Sequence, residues 1–169
     1  MEHIAVPVAF TVLGAVLGFA TARLNVWLDS KRQTGNFLKG VQSELRTLRA
    51  DLQKIKDQVG QACADYADPQ GQKDVIHFTH GLGMVFFTTQ VSKLPEISDE
   101  RIFKIINLYN DISAIQKFRE YLTSVSFELV HEEADFDSPK AVNYFTGMKH
   151  LSQMIETVSA DLDGVVQQL

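Results

Sequence analysis

The sequence predicts an all-α protein: one N-terminal transmembrane helix followed by an antiparallel bundle of three long helices with short helical segments between them. Three observations carry this. Nineteen consecutive residues, Ile4 to Ala22, have no formal charge. Long stretches after them repeat apolar residues every three or four positions, the period of one helix face. No stretch of comparable length alternates apolar and polar residues as a strand would.

The uncharged run would span about 28 Å as a helix, close to a hydrocarbon core of about 30 Å. Pro7 falls in the first turns, where a missing N–H is tolerated, and Trp27 follows as an aromatic interface anchor. Two other readings compete. Ala20-Thr21-Ala22 has the small-x-small form of a signal-peptide cleavage site, but Met1-Glu2-His3 holds no Lys or Arg and the run exceeds a usual signal core. A buried core helix of this length would normally carry a charge. Gly14, Gly18 and Ala22 line one side of the run, a small-residue stripe that lets a second membrane helix approach, although such residues are common in membrane helices anyway.

Orientation follows from the flanks. Arg23, Lys31, Arg32 and Lys39 all follow the run and no Lys or Arg precedes it. The positive-inside rule therefore places the C-terminal domain in the cytoplasm and the N-terminus outside the cytoplasmic membrane, with these basic residues against anionic headgroups. Charge is uneven beyond this point. Residues 23–56 hold eight basic and three acidic side chains, and residues 57–169 hold eight basic and seventeen acidic ones, within a chain of net charge −5. A nucleic-acid protein would show a basic face, so nucleic acid is excluded as a partner.

The expected division is residues 1–28 as anchor and interface, 29–36 as a basic juxtamembrane linker, and 37–169 as the bundle. Gly35 is the expected break, with helix restarting near Asn36, and continuous helix through this stretch is the alternative. Val41, Leu45, Leu48, Leu52, Ile55, Val59, Ala62 and Tyr66 then step by four and three, a heptad stripe that suits either the core face of a bundle helix or the seam of a coiled-coil oligomer. Asp68 to Asp74 reads as a loop on Pro69 and Gly71. Val75 to Gln90 reads as one or two short buried helices. Ser98 is the expected N-cap of the next helix, whose stripe runs Ile102, Ile105, Ile106, Tyr109, Ile112, Ile115, Phe118, Leu122, Val125 and Leu129. An acidic connector, His131 to Asp137, precedes Ser138-Pro139, an N-cap followed by proline at the first helical position. The last helix carries Val142, Phe145, Met148, Leu151, Ile155, Val158, Leu162 and Val165.

Chemistry is sparse. His77 and His80 sit three apart and would make half a metal site, with the acidic connector as the only source of further ligands, so no metal or cofactor is expected. His80-Gly-Leu-Gly-Met84 lacks the lysine and preceding strand of a phosphate loop, and its glycines read as turn or close-contact positions. Cys63, the only cysteine, has no evident base beside it and reads as a small packing residue. No serine-nucleophile motif is present. By elimination the expectation is a non-enzymatic accessory or scaffold subunit. Its partners would be the lipid bilayer and another membrane or cytoplasmic protein, or a second copy of itself. The alternatives are a ligand- or partner-responsive regulator, which a cavity lined by Phe78, Phe86 and Phe87 would support, and, less favoured, a metal-dependent enzyme using His77, His80 and the acidic connector.

Overall fold

The computed structural model describes residues 5–68, 75–78, 81–91, 100–131 and 136–169, with side chains of the first helix described from Gly18 onward. Among the described residues there are four α-helices: α1 (Ala5–Ala67), α2 (Val85–Gln90), α3 (Glu100–His131) and α4 (Pro139–Gln168). Pro69 and Gly71, His80, Ser98 and Glu132 to Asp135 lie outside the described residues, as do the side chains of most of the uncharged run, Gly14 included. Among the described residues, no helix is long and apolar enough to cross a membrane.

The expected break at Gly35 is absent: α1 runs unbroken for 63 residues, about 95 Å at 1.5 Å per residue. Its backbone continues as helix through 29–36. Nothing lies within 4 Å of where a Cβ at Gly35 would be. A single glycine costs a helix only about 1 kcal/mol relative to alanine, too little to interrupt it here. Residues 18–36 include no buried side chain. The core begins at Phe37 and Leu38 and continues through Val41, Leu45, Leu48, Leu52, Ile55 and Val59, all buried within the chain.

α4 packs antiparallel to α1. The ion pairs Arg49–Asp163 and Lys56–Glu156, both 2.8 Å, step seven residues forward on one helix and seven back on the other. α4 is also antiparallel to α3, with Lys104 beside Gln168 at one end and Glu128 paired to Lys140 at the other. Close helix approach occurs at Gly147, where an added Cβ would lie 2.8 Å from Leu122 Cδ2. Ser138 caps α4 as its spacing predicts, accepting from Ala141 N–H at 3.3 Å, with Pro139 following.

Two helices antiparallel to the same third must be parallel to each other, so α1 and α3 run the same way. Short turns therefore cannot join all three long helices. The α3–α4 connection is seven residues, but 32 residues separate Ala67 from Glu100. That segment has to return along the bundle, and its described parts do so beside α1 and α3. Of the one or two helices expected there, one short helix forms, α2; residues 75–78 and 81–84 are not helical.

Most of the expected α3 and α4 stripes are buried, from Ile102 to Leu129 and from Phe145 to Leu162, and the departures are local. On α3, Leu108, Arg119 and Ser126 are buried, while Ile106, Phe118 and Val125 are only partly so. On α4, Ala141 and Tyr144 face the core and Val142 is exposed. Tyr144 stands edge-on to Phe145, whose ring in turn stacks on Tyr66 at 3.8 Å.

Candidate functional site

The returning segment is held at three points. At the first, Tyr144 Oη accepts from Ile76 N–H at 3.2 Å and donates to Ile76 C=O at 3.0 Å, fixing residue 76 against α4. At the second, Gln116 Oε1 on α3 accepts from Leu82 N–H at 2.9 Å. The third lies at α2. A helix start leaves N–H groups unsatisfied, and the N-cap residue Met84 makes no side-chain cap. Glu44 of α1 supplies it from across the groove: its two carboxylate oxygens accept from Phe86 N–H at 2.7 Å and Phe87 N–H at 3.0 Å, and the second also accepts from Tyr109 Oη of α3. Phe87 stacks on Tyr109 at 3.9 Å, and the Phe86 ring sits where a Cβ on Gly40 would be, so glycine is what lets that ring rest against α1.

Burial, the hydrogen bond to Glu44 and its negative charge all push the Tyr109 phenol above its ordinary pKa. Burial likewise pushes Tyr144 up to about 12, against the opposing effect of its bond to Ile76. The sign of the pH dependence follows. An unfolded tyrosine ionises near pH 10 while folded Tyr144 stays neutral to about 12, so its contribution is complete below pH 10 and is lost as pH rises towards 12. Two units correspond to on the order of 3 kcal/mol. Urea unfolding between about pH 9 and about pH 12 is expected to show this decline, and Tyr144→Phe is expected to be weaker at pH 9 with a shallower slope. Equal slopes in the two proteins would remove Tyr144 as its source.

Between α1 and α3, beneath residues 77–78 and 81–83, lies an open cleft of about 500 Å³. Asp51, Lys54, Ile55 and Gln58 line it from α1, Arg119 from α3, and His77, Phe78, Gly81, Leu82 and Gly83 from the returning segment. Arg119 is 4% exposed. Its guanidinium lies over the Phe78 ring at 4.9 Å, and Nη1 donates to Gln116 Oε1 at 3.2 Å. Burial lowers its pKa, with Glu120 and Asp51 opposing. Lys54 pairs with Asp51 at 3.2 Å.

Of the three phenylalanines expected to line a cavity, Phe78 alone does so; Phe86 and Phe87 are engaged with Gly40, Phe37 and Tyr109. Gly83 has open space at its Cβ position and Gly81 only an ordinary contact with Gln116, so neither is demanded by close packing. His77 stacks on Phe127 at 4.6 Å, with Nδ1 2.9 Å from Ser126 Oγ. That hydroxyl also donates to Thr123 C=O at 2.7 Å. Among the described residues no three His, Cys, Asp or Glu side chains gather as a metal site. Cys63 is half-buried, and burial raises its thiol pKa, opposed by Lys149.

At the stalk, Arg23 lies over the Phe19 ring at 5.5 Å and Lys31 over Trp27 at 4.1 Å, while Arg32 and Lys39 are exposed. Gly18 and Ala22 lie on an open helix surface.

No protein-family model matches the chain, and no curated protein or solved structure matches it either.

Proposed function

We propose that the chain is a membrane-anchored accessory or scaffold subunit. Ile4 to Ala22 spans the cytoplasmic membrane, α1 continues as a rigid stalk, and the bundle from residue 37 stands in the cytoplasm as a protein-binding module. The observation behind this reading is the exposed stretch of α1. Phe19 (66%), Leu24, Val26 (71%), Trp27 (52%) and Leu28 are solvent-facing on more than one side of the same helix. An oligomer seam would gather them on one stripe, whereas an interfacial segment leaves them spread around the helix. Lys31 over Trp27 joins an aromatic anchor to a headgroup-seeking cation.

Membrane fractionation with alkaline carbonate extraction tests the anchor. The full-length chain is expected to stay with the membrane. Val12→Arg combined with Val16→Arg, at about 2.5–3.5 kcal/mol per charge at a helix centre, is expected to release it. Extraction of the unmodified chain would sink the reading. A reporter fused after Leu169 checks orientation: activity confined to the periplasm would reverse it. The second reading, a ligand-responsive regulator, is favoured by the cleft beside Arg119.

A further inference from the structure

We propose that the cleft between α1 and α3 binds a small, freely diffusing organic anion, its phosphate or carboxylate group held by Arg119 and Lys54. Binding of the anion rests on the bundle alone; that it is a free solute and not a lipid headgroup rests on the proposed anchor. The cleft volume, about 500 Å³, falls within the range of small-molecule pockets.

Arg119 occupies a heptad position of α3, in step with Ile112, Ile115, Leu122 and Leu129, where an apolar side chain would serve the core better. Apolar replacement of buried charged groups is often neutral or stabilising, so burial alone does not call for a guanidinium at this site. Its geometry accounts for it as a binding group. The plane is fixed against Phe78, and Gln116, which holds Nη1, also holds the Leu82 N–H of the cleft wall. A pre-set guanidinium in a sheltered site is suited to forked recognition of a carboxylate or phosphate. Lys54, its side chain 74% exposed, supplies a second, adjustable cation at the rim. Among the described residues the lining sets these two cations against one carboxylate, Asp51, with Glu120 also acting on Arg119. Ile55, Phe78 and Leu82 give the organic part of the ligand an apolar wall.

Position along α1 decides between a free solute and a lipid headgroup. Lys54 lies 32 residues beyond Ala22, about 48 Å along the helix axis, whereas headgroups extend only a few ångströms past the hydrocarbon.

Equilibrium dialysis of the full-length chain in mild detergent, with pyrophosphate and with citrate at constant ionic strength, tests the proposal. At least one probe is expected to saturate at one site per chain; pyrophosphate alone identifies a phosphate ligand, citrate alone a carboxylate, and both a shared anion site. Arg119→Gln is expected to weaken binding about tenfold or more. Lys54→Gln, an exposed change that leaves the melting temperature alone, is expected to weaken it about threefold, so the proposal stays testable if Arg119→Gln fails to fold. Arg49→Gln, at the ion pair with Asp163, is expected to bind like the unmodified chain. Saturation by neither probe overturns the proposal. So does binding indifferent to Lys54→Gln, or binding weakened as much by Arg49→Gln.

Discussion

Glu44→Ala is expected to lower the unfolding free energy by about 3–4 kcal/mol and to free α2 from the bundle. The carboxylate accepts from two backbone N–H groups at the start of α2 and from the phenol of Tyr109. Hydrogen bonds to a charged group contribute about 1.5–3 kcal/mol each, and partial access of water to this half-buried site brings the total below three full bonds. Glutamine is expected to restore little. Both carboxylate oxygens face donors, so an amide places its own NH2 against an N–H or O–H whichever way it turns. Chemical denaturation of Glu44→Ala and Glu44→Gln measures the loss, and amide exchange at Phe86 and Phe87 locates it. A loss under about 1 kcal/mol, with both amides still protected, would show that α2 is held by Phe87 and Tyr109 packing alone. The Tyr109 phenol is expected to move back down in either variant, because two of the causes that raise it come from Glu44.

This joint was not legible in the sequence, whereas the helices it joins were. The α1 stripe from Val41 to Val59 appears in full in the core because a long helix with one apolar face has to bury that face. Ser138-Pro139 was equally readable, since a cap and its helix are neighbours in sequence. Glu44 lies 42 residues from the amide it caps, and the carboxylates and phenols of this sequence carry no mark of such distant pairing. The parallel course of α1 and α3 had a readable sign: 32 residues is far longer than a turn between antiparallel neighbours needs. Arg119 and Ser126 had one too. Leu108, Ile112, Ile115, Arg119, Leu122, Ser126 and Leu129 step by four and three without interruption, so spacing alone marks both polar residues as inward. Hydropathy favours Phe118 and Val125 beside them, and following it moves the stripe off the cleft. Gly35 misled in the other direction, because a composition cue for a break was outweighed by helix on both sides.

Leu52→Ala is expected to cost about 3–4 kcal/mol and to leave the assembly state unchanged. Leu52 is fully buried at the middle of the α1 stripe, within the same apolar cluster as Ile112, Ile115, Leu151 and Ile155. Truncating a buried leucine loses transfer free energy and leaves a cavity, together about 2.7–5.0 kcal/mol, and a site between two long helices has little room to collapse. The same residue separates the two structures that a heptad stripe allows. In a bundle the stripe is sealed by the chain's own α4 and returning segment, so the loss does not depend on protein concentration. In a coiled-coil oligomer the stripe would be shared between copies, and Leu52→Ala would shift the oligomer equilibrium as well. Unfolding midpoints compared across a hundredfold range of concentration, with mass measured in parallel, distinguish the two. A concentration-independent midpoint with an unaltered mass is the expected result, since Val41, Leu45, Leu48 and Leu52 have no exposed surface left to offer a second copy. That leaves the outward faces of the bundle and the stalk, with Phe19, Trp27, Phe103 and Tyr121 exposed along them, as the surface on which a protein partner would be met.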